Sequence, residues 1–253
     1  MSDPSDLFDL KGRVACVTGA SAGLGQRAAT VLAAAGARVV GVARRAEALD
    51  DWATSTGENA AVVAADLSRR DQISEIAKQI SAPFGVPDIV VHAAGINTRE
   101  TADEVTDAGW DMTMNLNLAA PFFLSQAFAP AMKTKGWGRI VNFASLQTTR
   151  AFPGGVSYGA SKAGIGQLTR AMAAAWSKDG ITANAIGPGF FPTELTGSVF
   201  ADPERAARNA ANTCVGRNGA LSDIDGPLLF LCSDASAYVT GQVLMVDGGF
   251  TAK

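Results

Sequence analysis

Tyr158 and Lys162, in the run Ser157-Tyr158-Gly159-Ala160-Ser161-Lys162, are the residues of this chain whose types and spacing most plainly suggest chemistry. Residues four apart on a helix share one face, one turn apart. An ammonium group beside a phenol favours the phenolate, so the spacing predicts a Tyr158 pKa drawn down from its reference of about 10. A phenol tuned that way donates a proton and takes it back, which an alcohol/carbonyl interconversion requires. The bland alternative is a half-exposed Tyr and a solvated Lys on an ordinary helix. A lone Y-x-x-x-K has many chance matches, so the rest of the chain must decide.

A second cluster lies near the N-terminus. The apolar run Val14–Val17 leads into Thr18-Gly19-Ala20-Ser21-Ala22-Gly23-Leu24-Gly25 and then an Ala-rich segment. Glycines there permit a tight strand-to-helix turn and let backbone amides approach a pyrophosphate. The following helix N-terminus adds N–H groups and the positive end of its dipole. The spacing is G-x-x-x-G-x-G, which differs from the common G-x-G-x-x-G, and a tight turn without a ligand is the competing reading.

Composition narrows the function classes. With 253 residues, the chain is long enough for one large core. Its net charge of −3 and lack of a basic block argue against nucleic acid and anionic membrane as partners. No apolar run reaches the ~18 residues a membrane span needs. The opening Met1-Ser2-Asp3-Pro4-Ser5-Asp6 is polar and acidic, unlike a secretory signal. Cys16, Cys214 and Cys232 have no metal-ligand spacing and read as buried, reduced thiols of a cytoplasmic protein. With His92 as the one histidine, a His-based triad or a multi-His metal site is not expected, and no metal is assigned. His92 itself is read as structural.

The elements that must position these residues follow from periodicity. Strands are expected at 14–17, 38–42, 61–65, 89–92, 139–143, 182–186 and 243–246, most of them apolar on both faces, as in a covered parallel sheet. Helices are expected at 24–35, 46–55, 71–80, 107–116, 121–133, 156–178, 203–212 and 223–232, with Thr106 and Ser222 as N-caps. The alternation implies right-handed crossovers and an α/β, doubly wound parallel sheet of about seven strands with helices on both faces, in one domain over 1–253. Residues 1–8 are expected to be flexible. The stretch 187–215, with Pro188, Pro192, Pro203, Phe190, Phe191 and Phe200, is expected to be an irregular substrate loop.

T-G-x-x-x-G-x-G followed about 140 residues later by Y-x-x-x-K resembles the short-chain dehydrogenase/reductase family, and the resemblance covers essentially the whole chain. His92-Ala93-Ala94-Gly95 resembles the family's N-N-A-G, departing from it at the first two positions. Asn117 matches the active-site Asn, Ser145 stands 13 residues before Tyr158 at the catalytic Ser position, and Asn184…Pro188-Gly189…Thr193 matches the segment around the nicotinamide. The resemblance implies a Rossmann-like fold and a catalytic set of Asn117, Ser145, Tyr158 and Lys162. It implies cofactor contacts from Gly19, Ser21, Gly23, Leu24 and Gly25, from Asp66 and Leu67 after the third strand, and from Ala94 and Gly95. Pro188, Gly189, Thr193, Tyr158 and Lys162 complete that set. The family also uses its long helix in a subunit interface. The small residues Ala160, Ala163, Gly164, Gly166, Ala171 and Ala174 therefore point to a homo-oligomer, a tetramer or dimer, with core packing as the plainer account.

Cofactor choice is read just after the second strand, where an acid would bond the ribose of NAD and repel a 2′-phosphate. This chain has Ala43-Arg44-Arg45 instead, and Arg44 could grip the phosphate with charge-assisted bonds. NADP is therefore favoured over NAD, although Ala22 stands where some NADP-using relatives carry a base. Pro188-Gly189-Phe190-Phe191-Pro192-Thr193-Glu194-Leu195-Thr196 resembles gluconate 5-dehydrogenases and related sugar-acid and polyol dehydrogenases. Substrate contacts are expected from Ser145, Tyr158, Gln147 and Phe190, and Arg150 is a further candidate for a carboxylate. The partner is thus a small carbonyl or alcohol. A 3-oxoacyl-thioester reductase is the alternative, and a non-catalytic dinucleotide-binding regulator a remote one.

Overall fold

The computed structural model describes residues 4–253. Part of the N-terminal stretch expected to be flexible, Met1–Asp3, lies outside the described residues; Pro4–Phe8 form an exposed 3₁₀ turn. The first strand, β1 (Val14–Thr18), is buried along its whole length. It leads into α1 (Gly23–Ala34), β2 (Arg38–Ala43), α2 (Ala46–Thr56), β3 (Ala60–Ala64), α3 (Ile73–Ser81) and β4 (Ile89–His92). Next come α4 (Asp107–Met114), a π-helical turn at Asn115–Ala119, α5 (Ala120–Lys135), β5 (Gly138–Phe143) and α6 (Val156–Trp176). The chain closes with β6 (Ile181–Pro188), α7 (Gly197–Phe200), α8 (Pro203–Ala211), α9 (Asp225–Cys232) and β7 (Val243–Val246).

The seven strands form one sheet in the order β3-β2-β1-β4-β5-β6-β7, every neighbouring pair parallel. This is the expected Rossmann-like α/β architecture. Alternate residues of a strand face opposite sides of a sheet, and both sides here carry an apolar layer. One is built on Val17, Val39, Val91 and Val141, the other on Cys16, Val40, Val90 and Ile140. Each fully buried Val or Ile contributes about 1.5–3 kcal/mol relative to exposure, which is why the two-sided strands are the most legible part of the chain. Between β1 and β4 the strand order reverses. The chain leaves the two strands toward opposite faces, which opens a crevice beyond their carboxyl ends.

Local chemistry sets several boundaries. Thr106 caps α4 as expected, its hydroxyl accepting the Gly109 N–H at 3.0 Å. Ser222 does not cap α9. It lies inside a 3₁₀ turn, Leu221–Ile224, because Asp223 takes the local acceptor role, bonding the Ala220 N–H at 2.8 Å and pairing with Arg217. The stretch 187–215 is more ordered than an irregular loop: a 3₁₀ turn at Glu194–Thr196, α7 and α8 occupy much of it. Asp202 stabilises α8 by accepting the Arg205 N–H. Cys16 and Cys232 are buried, where desolvation pushes their thiols up, but Cys214 is exposed, contrary to expectation.

Candidate active site

At the carboxyl end of β1, Gly19 has φ +73° and a Cβ there would stand 2.8 Å from the Ala94 nitrogen. A Cβ on Gly25 would lie 2.3 Å from the Gly19 carbonyl oxygen. No side chain fits at either position, so the loop folds tightly against the end of β4 and the first turn of α1. Thr18 fastens it, its hydroxyl accepting the Ala94 N–H at 3.1 Å. Ala22, at the N-cap of α1, supplies no side-chain acceptor. The first N–H groups of α1 therefore face the crevice without a capping side chain, a setting that favours a bound anion. The cleft above the loop has a volume of about 520 Å³. Its walls come from the loop itself, Arg44 and Arg45 after β2, Asp66 and Leu67 after β3, the turn after β4, and Tyr158 and Lys162 on α6. The loop, the open helix end and the basic residues after β2 fit a phosphorylated dinucleotide.

Of the catalytic candidates, Tyr158 and Lys162 line this cleft, while Asn117 and Ser145 do not line it but are bonded to Ile96 and Tyr158, which do. Tyr158 and Lys162 share one face of α6, and both are buried. Lys162 Nζ lies 5.7 Å from the Tyr158 ring centroid and donates to the Phe143 carbonyl at 2.6 Å. That bond ties α6 to the end of β5. Asn117 sits in the π-helical turn, a device that occurs often at functional sites. Its Oδ1 accepts the Ile96 N–H at 2.9 Å, and its Nδ2 donates to the Ile96 carbonyl at 2.9 Å and to Ser161 Oγ at 3.1 Å. Gly95 lies beside both: a Cβ there would be 3.3 Å from Asn117 Oδ1 and 3.7 Å from Lys162 Nζ. Ser145 begins a 3₁₀ turn at the end of β5, where its hydroxyl accepts the Gln147 N–H at 3.1 Å and hydrogen-bonds Tyr158.

The electrostatics differ from the simple spacing argument. Burial pushes the Tyr158 phenol above its ordinary value, and the Ser145 hydrogen bond and the Arg99 charge offset this only in part. Burial also pushes Lys162 down to about 8. The expected lowering of the Tyr158 pKa is thus not present in the protein alone. Desolvation of both groups dominates, and the short contact of Lys162 goes to the Phe143 carbonyl. His92 is neutral: burial pushes it down to about 3, and its Nε2 lies 2.8 Å from Ser125 Oγ. It joins β4 to α5 and takes no part in the cleft.

Comparison with known proteins accounts for this arrangement. A family model described as Enoyl-(Acyl carrier protein) reductase matches residues 19–251. The chain belongs to the short-chain dehydrogenase/reductase family. It is similar to gluconate 5-dehydrogenase of Gluconobacter oxydans (strain 621H), 40% identical over 254 residues covering 99% of each chain. It is likewise similar to 2-dehydro-3-deoxy-D-gluconate 5-dehydrogenase of Escherichia coli (strain K12), 41% identical over 252 residues covering 97% of this chain and 98% of the relative. Among solved structures, a gluconate 5-dehydrogenase from Burkholderia cenocepacia J2315 in complex with NADP and tartrate superposes with a TM-score of 0.92, at 35% identity and 98% coverage of both chains.

Most residues expected at the cofactor site of a short-chain dehydrogenase line the cleft. They are Gly19, Ser21, Gly23, Leu24 and Gly25 of the loop, Arg44, Asp66 and Leu67, Ala94 and Gly95, and Pro188 and Thr193. Asp66 also closes its own turn by accepting Ser68 N–H and Oγ–H at 3.0 and 2.8 Å. Burial would raise this carboxyl, but those bonds and the charges of Arg44 and Arg69 hold it below its ordinary value. Gly189 faces away: its N–H donates to Val246, and a Cβ would meet the Asp247 Cα at 2.8 Å. Gln147 folds back over the start of α6, where a Cβ on Gly155 would be 2.2 Å from its Oε1. That oxygen is buried without a hydrogen-bond partner. Phe190 packs edge-on against Phe152 and Phe250. Arg150 is exposed, and its Nη2 donates to the backbone oxygens of Thr251 and Lys253.

Sequence reasoning missed Arg99, Glu194 and Leu195. Arg99 holds φ +57°, rare for a residue with a side chain, donates to the Leu195 carbonyl, and lies close enough to Tyr158 to lower its pKa. Nothing in the local spacing marks it, because its placement depends on the turn after β4 doubling back over the cleft. Among the described residues, no group of three or more His, Cys, Asp or Glu side chains is placed to hold a metal ion. No helix among them is long and apolar enough to cross a membrane.

Proposed function

We propose that this protein interconverts a secondary alcohol and a ketone on a sugar acid or a related polyol, using a nicotinamide cofactor, with NADP favoured over NAD. The observation that carries the reading is a buried phenol at the inner end of a dinucleotide-shaped cleft, hydrogen-bonded to Ser145 and facing the positive charge of Arg99. A cation beside the proton donor suits an acidic substrate. Relatives named for gluconate-type substrates, and one solved with NADP and tartrate, support the same class.

When bound, the nicotinamide supplies or accepts the hydride. Tyr158 transfers the proton at the substrate oxygen, and Ser145 donates to the same oxygen and polarises it. The charge that develops there meets donors already in place, which in general supplies a large share of rate enhancement. Lys162, fixed by the Phe143 carbonyl, supplies positive charge behind the phenol and a donor toward the ribose. Asn117 holds the Ile96 backbone and keeps the wall beside Lys162 in register. Arg44 is the 2′-phosphate contact, at the exposed rim of the cleft. The exposed small residues of α6, among them Ala160, Ala163, Ala171 and Ala174, suit close packing of a second copy, and a cytoplasmic homotetramer is the assembly proposed.

A panel of sugar acids, polyols and ketones, with acetoacetyl thioesters alongside, tests this with both NADPH/NADP and NADH/NAD. Turnover of a sugar acid or keto-sugar acid is expected. Activity confined to acetoacetyl thioesters would transfer the protein to acyl-chain reduction. Dinucleotide binding with no turnover across the panel would make it a regulator.

A further inference from the structure

The 3₁₀ turn Glu194–Thr196 stands at the rim of the cleft, which its exposed Glu194 and Leu195 line, and is fastened on both sides. Toward the adenosine side, Arg45 Nη1 pairs with Glu194 Oε1 at 2.8 Å. The same guanidinium reaches the glycine loop, donating to Ser21 Oγ from Nε at 3.2 Å and from Nη2 at 3.1 Å. Thr193 rests directly on the start of α1: a Cβ on Gly23 would stand 3.2 Å from its Cγ2. Toward the catalytic side, Arg99 donates to the Leu195 carbonyl. The turn holds its own shape by a reciprocal pair of bonds between Thr193 and Thr196. Loop, rim and turn thus form a closed ring around one edge of the cleft, and Ser21, Arg45, Thr193 and Glu194 all line it.

We propose that this turn is a strap over the dinucleotide and that the Arg45–Glu194 pair sets how fast the cofactor leaves. This rests on the reading of the cleft as a nicotinamide dinucleotide site. A dinucleotide lying along the glycine loop has the strap between it and solvent, so it leaves only after the strap lifts. Lifting breaks the Arg45–Glu194 pair in every case, whichever dinucleotide is inside. Arg45 and Glu194 are therefore positioning residues: they act through the strap and not on the reacting atoms. The pair is half-exposed, with side-chain exposures of 51% and 68%. An exposed pair of this kind changes a rate about two- to five-fold.

Stopped-flow displacement of NADPH and of NADH, followed by nicotinamide fluorescence, tests the proposal. Glu194→Gln keeps the size of the side chain and removes its charge. It is expected to speed release of both dinucleotides by the same factor, about two- to five-fold, with association little changed. The charge exchange Arg45→Glu with Glu194→Arg is expected to bring both release rates back to within about 1.5-fold of the original, while Arg45→Glu alone stays fast. Release from Glu194→Gln as slow as from the unaltered protein overturns the strap. An effect on NADPH alone also overturns it, because Arg45 would then be gripping the 2′-phosphate. If the unaltered protein binds neither dinucleotide, the reading of the cleft itself fails, and the strap with it.

Discussion

Replacing Lys162 by Met should change the pH dependence of stability in a direction that the burial of this residue dictates. Lys162 has an ordinary value of 10.5, and burial brings it to about 8. Between these values the unfolded chain holds a proton that the folded protein has released. Stability therefore rises with pH across that window, because the unfolded state binds more protons. The whole gap is worth about 3 kcal/mol at 1.36 kcal/mol per pH unit. The portion recovered between pH 8 and pH 10 is about 2 kcal/mol. Lys162→Met retains most of the buried stem and removes the titration, so its own curve lacks this rise. The window ends near pH 10, where Tyr158, held protonated by burial, begins to act in the opposite sense. The assay is urea unfolding at fixed protein concentration at pH 8, 9 and 10 for both proteins. The gap between them should shift in favour of the unaltered protein by about 2 kcal/mol. A gap constant to within about 0.5 kcal/mol would refute a depressed Lys162 and the claim that desolvation governs this pair.

Tyr158→Phe keeps the ring and deletes the proton; turnover should fall by about 10²–10⁴-fold, with the NADPH dissociation constant, measured by fluorescence titration, changed by less than about threefold. Arg44→Asp should raise the NADPH Michaelis constant by about tenfold or more while NADH improves, since a charge-assisted bond is replaced by repulsion; an unchanged NADPH constant would remove Arg44 from the 2′-phosphate site. Gly25→Ala places a Cβ 2.3 Å from the Gly19 carbonyl, so the loop must shift. Its unfolding midpoint should drop by an amount equivalent to about 1–3 kcal/mol, together with loss of dinucleotide binding by calorimetry.

Residues that act through local geometry were the ones legible in the sequence. The β-branched strands in the middle of the sheet, buried on both faces, stand out by composition; β4 falls at the bounds periodicity predicts, and so does β7, which is not buried. The glycine loop is legible because Gly19 and Gly25 answer to backbone contacts within the loop and with the end of β4. Tyr158 and Lys162 share a face because one helix carries both. What failed to show depends on distant neighbours. The direction of the Tyr158 shift needs the depth of burial, which spacing does not contain. Arg99 needs the fold of the turn after β4, and Glu194 needs Arg45, 149 residues away. Ser222 lost its capping role to the carboxylate beside it, a competition decided by Arg217 holding Asp223 in place. Gln147 and Phe190 follow motif residues in the chain, yet their side chains turn toward Gly155 and Phe250.

The π-helical turn at Asn115–Ala119 joins α4 to α5 without a break, so residues 107–135 form one rod carrying one wide turn. A π turn holds an extra residue relative to an α turn. Shortening the chain by one residue there would leave a continuous α-helix with α4 and α5 close to their present phase, but the residues of the wide turn itself would take new angles about the axis. Asn117 would then swing off the Ile96 backbone while the rod remained intact. The rod therefore tolerates the loss of one residue here as a helix and loses the placement of Asn117. In laboratory evolution by insertion and deletion, this turn should behave as a phase mark: shortened variants that still fold but have lost turnover should cluster within these five residues.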